Sequence, residues 1–311
     1  MTNLSLPETM QYFNKKYLTI QKLETLVRQK GYAMIEADLL ENYEKFKDKH
    51  KRIDKNSMVK LIDKEGEVKV LRPDVTTSII DNVAAKWSDN TPLKVFYNET
   101  IFLNTSSGIE EKKQFGIEYL GKNSIDVDLE VLTLAKNMFE SFDFDFIIEI
   151  NDALLIDELF EALNLADNTL EKLKAILDKK DVSRLNKFVD KYLSDAPYQT
   201  FLKSLLDMQG DFKTISEALN KLDVPSNVKA RFDKMKSYET TLGSNNIVFD
   251  LSMQSDYGYY QGVIFKGYIA SIPKNVLNGG RYNTQSMGAK QSIDACGFSL
   301  SLDDILKERM N

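Results

Sequence analysis

One histidine, His50, and one cysteine, Cys296, are all that 311 residues offer to the commonest catalytic and metal-binding chemistries. A zinc site, a histidine-based triad and an intramolecular disulfide are thereby effectively excluded. Four fragments of the remaining sequence carry groups that could hold a polar ligand. They are Leu71-Arg72-Pro73-Asp74-Val75-Thr76, Gln114-Phe115-Gly116-Ile117-Glu118, Gly258-Tyr259-Tyr260-Gln261-Gly262, and Gly279-Gly280-Arg281-Tyr282 leading to Gly297-Phe298. Carboxylates accept hydrogen bonds from cations, and phenolic hydroxyls can bond a ring nitrogen. Each fragment also has a plainer reading. Arg72 could pair with a neighbouring carboxylate at a strand end, and Gln114 and Glu118, alternating with apolar residues, could face solvent. The tyrosines could be packing aromatics. Gly279 to Tyr282 reads as an ordinary turn as readily as a functional loop, so Arg281 is given no catalytic role. Cys296 reads as a small buried residue. The basic run Lys45 to Arg52, which contains His50, could reach an anionic partner but reads more simply as a solvated loop.

These fragments need elements to position them, and with 42% hydrophobic residues the chain can bury a proper core. A net charge of −6 argues against a protein whose task is neutralising nucleic-acid phosphates. The first residues lack a signal-peptide pattern, and no stretch approaches the roughly 18 to 20 apolar residues of a membrane span, so a cytoplasmic protein without membrane contact is expected. Phe13, Tyr17, Ile20, Leu23 and Val27 recur at helical spacing and predict a long first helix ending at Gly31. Residues 58–62 and 68–71 predict a hairpin about the Lys64-Glu65-Gly66-Glu67 turn, and short strands are expected at Val95–Tyr97 and Phe115–Leu120. Helices are expected from Thr76 to about Trp87 and from Asp128 to Phe142. Phe146–Ile150 predicts a buried strand, after which Asn151-Asp152 offers a cap for a helical, Lys/Glu-rich stretch running to about residue 240. Strand character returns at Ile247–Leu251 and Gly262–Phe265, and a last helix at Leu302–Met310.

In this order the four fragments resemble the catalytic core of class II histidyl-tRNA synthetases, as do Leu6-Pro7-Glu8 and Gly31 through Glu41, which look like the family's first helix and dimer-forming motif. The resemblance implies an α+β fold with a mainly antiparallel sheet of roughly six or seven strands, flanked by helices. It also implies one core domain over residues 1–311, with a helical insertion at 153–240. The sequence stops at Asn311, directly after the third family motif, so no anticodon-binding domain is expected.

That family clamps ATP with arginines, because a triphosphate brings about four negative charges. Leu103 stands where the second motif carries its α-phosphate arginine, and Glu110 aligns with the next one. Ser255-Asp256 replaces the arginine that precedes the tyrosines, and Asp304 replaces the arginine of the third motif. The amino-acid side is kept. By resemblance, Asp74 and Thr76 hold the substrate's α-amino group, Asp74 being shorter than the family's glutamate. Gln114 and Glu118 line the same pocket, and Tyr259 and Tyr260 meet the imidazole.

A synthetase-like core with a disabled nucleotide site resembles the regulatory subunit of short-form ATP phosphoribosyltransferase in bacterial histidine biosynthesis. This implies a chain without catalytic residues, cofactor or metal. It would self-associate through the first helix and strands, bind the catalytic subunit, sense histidine as effector, and read no tRNA. The alternative is a divergent ligase that activates an amino acid with ATP, for which Lys112-Lys113 offers the one candidate cluster of replacement cations.

Overall fold

Ser5 starts the first helix, α1 (Leu6–Arg28), with Pro7 in its opening turn and the Ser5 N–H donating to the Glu8 carboxylate at 2.7 Å. It ends where expected. Gly31, at φ +83°, lets the Tyr32 N–H close back on the Val27 carbonyl at 3.2 Å. The computed structural model describes residues 5–44, 54–84, 86–87, 91–255, 258–287 and 289–310. The basic run at 45–52, with His50, lies outside the described residues, as do Asp256 and Tyr257. The chain divides into two units, Met1–Asp145 with Tyr268–Asn311, and Phe146–Gly267.

In the first unit a small antiparallel sheet has the order β2 (Leu40–Asn42), β4 (Val68–Leu71), β3 (Lys60–Ile62). The expected hairpin is β3–β4, with Ile62 opposite Val68 and the turn held by Asp63, whose carboxylate accepts the Glu65 and Glu67 N–H groups. The larger strand run has the order β1 (Ala33–Met34), β5 (Leu93–Thr105), β6 (Gly108–Leu120), β12 (Asp294–Ser301), β11 (Asn275–Asn283). All its pairs are antiparallel except β1–β5. Helices α2 (Val75–Ala84), α3 (Ile125–Glu140) and α11 (Leu302–Met310) complete this unit. Phe96, Phe115, Ile117 and Phe298 lie on one face and are buried; Tyr97, Gly116, Glu118 and Gly297 lie on the other, as period-two alternation requires.

The second unit carries β7 (Phe146–Asp152), β8 (Gln209–Gly210), β9 (Ile247–Asp250) and β10 (Tyr260–Ile269), whose last two residues fall in the first unit. Their order is β10, β7, β9, β8, with β7 and β9 parallel. Seven helices lie between: α4 (Ala153–Leu163), α5 (Asp167–Asp178), α6 (Val182–Tyr192), α7 (Ala196–Ser204), α8 (Phe212–Leu219), α9 (Ser226–Lys234) and α10 (Lys236–Leu242). Four begin on an aspartate that accepts a first-turn N–H, namely Asp152, Asp181, Asp195 and Asp211. Pro197 and Pro225, which interrupt the helical pattern, stand at helix starts. Phe212 stacks on Phe232 at 4.4 Å with Phe249 edge-on, closing the core of this unit.

The two units together hold seven strands of three residues or more in these runs, as the α+β reading expects, plus two-residue β1 and β8. Three expectations differ from what is found. Strands β5 and β6 run 13 residues each, well beyond the short segments read from the sequence. Their outer halves are rich in Asn, Glu and Lys, which have poor strand propensity, and pairing across the hairpin holds them extended. Gly279–Tyr282 is neither turn nor loop but lies within β11, Gly280 opposite Gly297. The apolar face of α1 is buried only in its C-terminal half, at Leu23 and Val27, while Phe13 and Tyr17 are 48% and 62% exposed. Periodicity identifies a face but not what covers it. Among the described residues no helix is long and apolar enough to cross a membrane.

A Cβ on Gly116 would stand 2.3 Å from the Tyr97 ring and 2.7 Å from the Phe298 carbonyl oxygen, and backbone cannot yield as a side chain can. Gly116→Ala is expected to cost about 1–3 kcal/mol. In thermal unfolding that lowers Tm by roughly 2–4 °C per kcal/mol. Gly258→Ala, where a Cβ meets nothing within 4 Å, is expected to leave Tm unchanged.

Candidate functional site

Arg72 fixes the frame of the site. Its guanidinium is 3% exposed and donates to the Thr100 carbonyl at 3.0 and 3.1 Å, to the Asp38 carbonyl at 3.3 Å and to the Ala37 carbonyl, and pairs with Glu99 at 2.7 Å. A buried guanidinium is tolerable only with this saturation, so Arg72 ties β5 to the segment before β2 instead of facing a ligand. Its plainer reading, a pair with a neighbouring carboxylate, is the observed one. Two residues on, Asp74 accepts the Thr77 N–H at 3.0 Å and the Thr77 hydroxyl, and so caps α2. This orients the helix so that Thr76, in its first turn, donates to Glu118 at 2.8 Å.

Glu118 is 2% exposed, so its plainer reading as a solvent-facing residue does not hold. One carboxylate oxygen accepts from Thr76 and the other from the Tyr282 hydroxyl at 2.7 Å. Gly297 on the neighbouring strand makes room, because a Cβ there would stand 2.1 Å from Glu118 Oε2. Gln114 is half-buried on the same face, opposite Glu99 and Ser301. Thus Thr76 and Glu118 are in direct contact, Gln114 shares their face, and Asp74 is engaged with its own helix. Tyr259 and Tyr260 belong to the second unit, where their rings lie 4.3 Å apart, Tyr259 buried and Tyr260 half-buried. Tyr260 lines a cleft of about 730 Å³ together with Asp157, Glu161 and Lys174. Tyr282 is the residue that the sequence reading missed. The usable signal was strand alternation, which sends Arg281 and Tyr282 to opposite faces once Gly279–Tyr282 is taken as a strand.

The positions expected to have lost arginine are also accounted for. Leu103 and Glu110 are direct partners across the β5–β6 hairpin. Hydrogen bonds from Ser107 and Thr105, with Lys112 at 3.4 Å, hold the Glu110 carboxyl below its usual range. Lys112 is therefore engaged with that carboxylate, and alternation turns the Lys113 side chain to the opposite face, while the Lys113 backbone N–H donates to Asp303 at 2.8 Å. The cluster that an ATP-using ligase would need is not assembled by these lysines. Asp304 is buried; burial pushes its carboxyl up, but Lys274 at 2.8 Å and the Ser301 hydroxyl at 2.5 Å outweigh this and hold it below the ordinary value. An anion thus stands at the position where the resemblance puts a phosphate-binding arginine. Ser255 is half-buried.

On the opposite face Arg281 donates to Asp128 on α3 at 2.8 Å and to the Ser124 carbonyl, both charges being buried. Cys296 is buried beside them; burial and then the Asp128 carboxylate push its thiol up, in keeping with a packing role. Among the described residues no group of His, Cys, Asp and Glu could hold a metal ion. Arg281→Met would leave Asp128 buried and uncompensated, an expected loss of about 3–5 kcal/mol in denaturant unfolding. Adding Asp128→Leu, which removes the stranded charge, is expected to recover a substantial part of it.

Comparison with known proteins places this geometry. The family model described as histidyl-tRNA synthetase matches residues 8–305. An ATP phosphoribosyltransferase regulatory subunit of Clostridium botulinum (strain Langeland) is 33% identical over 298 residues, covering 92% of this chain and 70% of that protein. One from Alkaliphilus metalliredigens is 28% identical, covering 92% and 74%. Among solved structures, an ATP phosphoribosyltransferase regulatory subunit/histidyl-tRNA synthetase from Bacillus halodurans superposes with a TM-score of 0.84 at 24% identity, covering 97% of this chain and 80% of that one. A chain of the ATP phosphoribosyl transferase (HisG:HisZ) complex from Thermotoga maritima does so with 0.71 at 20% identity, covering 92% and 96%. These two likenesses show the class II histidyl-tRNA synthetase-like fold. The sequence matches show more: the chain belongs to the histidyl-tRNA synthetase family and, within it, to the ATP phosphoribosyltransferase regulatory subunits.

Proposed function

We propose that this chain is a non-catalytic subunit that associates with a short-form ATP phosphoribosyltransferase catalytic subunit, is required for its activity, and makes it sensitive to histidine. The supporting observation is the asymmetry of one sheet face. Where phosphates would need arginine, that face and the helix after it present Leu103, Glu110 and Asp304, each carboxylate already paired. Elsewhere on it, Glu118 is held by Thr76 and Tyr282.

A charge-assisted hydrogen bond contributes about 1.5–3 kcal/mol, so loss of several phosphate clamps removes nucleotide affinity while leaving the amino-acid side intact. Histidine binds that side in this reading, with its ammonium group near Asp74, Thr76, Gln114 and Glu118. Histidine inhibits by preferring one quaternary state over another, and it shifts the equilibrium by that difference in affinity. The chain also self-associates through α1 and the small strands, which expose Leu6, Met10 and Phe13. With a net charge of −6 it has no tRNA partner, and it works in the cytoplasm.

The test is reconstitution with a short-form catalytic subunit. Association, activation and inhibition by histidine are expected. Asp74→Ala and Glu118→Gln are each expected to raise the half-inhibitory histidine concentration by roughly 10- to 100-fold, the equivalent of one lost charged hydrogen bond. Histidine-dependent pyrophosphate exchange by the isolated chain, well above background, or failure to associate, would sink the proposal.

A further inference from the structure

Two polar clamps, both inside the second unit, tie the segment leading to the paired tyrosines to the helical stretch. Lys180, in a left-handed conformation at φ +48° just after α5, directs its ammonium group to Asp250 at the end of β9. Asp250 is 1% exposed, and its other oxygen accepts the Ser252 N–H at 3.0 Å and the Ser252 hydroxyl at 2.7 Å. Further along, the Gln254 amide nitrogen donates to the Lys174 carbonyl at 3.0 Å and to the Asp178 carboxylate at 2.7 Å, both on the last turns of α5. From the strand side, the buried Asn151 donates to the Leu251 and Met253 carbonyls at 3.3 and 2.9 Å. Met253 belongs to a buried cluster with Ala153 and Ile264, and Tyr260 packs against that cluster.

Segment Asp250–Gln254 is therefore stiff: four of its five residues, Asp250, Leu251, Met253 and Gln254, are bonded to another element. One side of it is attached to α5, and its packed side chain, Met253, is part of the cluster against which Tyr260 packs. Helix α5 and Tyr260 also line the same cleft, through Leu170 and Lys174. A shift of α5 is not taken up by loose chain at 250–254 and reaches the cluster against which Tyr260 packs, because packed elements move as bodies and do not deform continuously.

We propose that Gln254 and Lys180 are positioning residues through which helix α5 sets the placement of Tyr259 and Tyr260, and hence the affinity for an aromatic amino acid ligand bound by those rings. The inference rests on the histidine-sensing reading for its ligand, but the clamp itself does not depend on that reading. Gln254→Met keeps the side chain's length and removes both donors. Lys180→Met removes the charge facing Asp250.

Two measurements on the full chain test this. The first is hydrogen exchange of the free protein. Both variants are expected to speed exchange of the Tyr260–Ile264 amides and to leave Ile148–Ile150 in β7 as they are; unchanged exchange at Tyr260–Ile264 in both variants would overturn the proposal. The second is histidine inhibition of the complex with the catalytic subunit. Gln254→Met is expected to raise the half-inhibitory concentration by about five-fold or more, at the lower end of ordinary coupling, with activation in the absence of histidine retained. In a Tyr260→Phe background the same substitution is expected to add little, since residues acting through one another are non-additive. Shifts that simply multiply in the double variant would assign Gln254 a merely structural role. If the unaltered complex ignores histidine, the proposed function fails while the exchange measurement still decides the clamp.

Discussion

A carboxylate as deeply buried as that of Glu118 is costly unless its oxygens are satisfied and space is left for it, and most of the first unit can be understood as meeting those two conditions. The space comes from Gly297, which has no side chain to oppose Oε2. Satisfaction comes from hydroxyls on two elements distant in sequence, Thr76 and Tyr282. For Thr76 to reach it, α2 must start where it does, which depends on the Asp74 cap and on Arg72 fixing the end of β4 to β5. For Tyr282 to reach it, β11 must be a strand through two glycines. An effective desolvation penalty of several kcal/mol makes such an arrangement close to all-or-none.

Elements with a buried face were legible in the sequence. Helices α2 and α3, strand β7 and the helical stretch from Ala153 announce themselves by apolar spacing, capping aspartates or helix-starting prolines, and the β3–β4 hairpin by the turn at Lys64–Glu67. What escaped was stabilised by partners that spacing does not record. The polar outer half of β5–β6 is extended because each strand has the other to pair with. The two-residue strands β1 and β8 are too short to carry any pattern. Gly279 and Gly280 of β11 read as a turn, although they lie in a strand, and Gly297, opposite Gly280, leaves room for a side chain from the adjacent strand.

The site was legible in composition but not in connection. Resemblance singled out Asp74, Thr76, Gln114 and Glu118, yet spacing alone could not show that Thr76 donates to Glu118 across 42 positions. Nor could it show that Asp74 has a capping bond of its own. On the phosphate side the structure added something that the missing arginines had not implied. Glu110 and Asp304 are each neutralised locally, by Lys112 and by Lys274, so the replacements are integrated into the fold and do not stand as unpaired negative charges. An arginine at Glu110 or Asp304 would take from Lys112 or Lys274 the carboxylate it now pairs with.

The bond between Tyr282 and Glu118 joins residues 164 positions apart, and the pairing of β6 with β12 reaches further still. Contacts this distant in sequence are slow to form, because the entropy of closing the intervening chain is lost before any contact repays it. On a ribosome, β5 and β6 would emerge long before β11 and β12 could pair with them, leaving one edge of β6 and the Glu118 carboxylate open to water. The intervening second unit, whose helices are built from nearby residues, is free to form in that interval. The Glu118 face would thus be among the last parts of the molecule to acquire its final structure, and a chain interrupted before β12 would present an unpaired strand edge there.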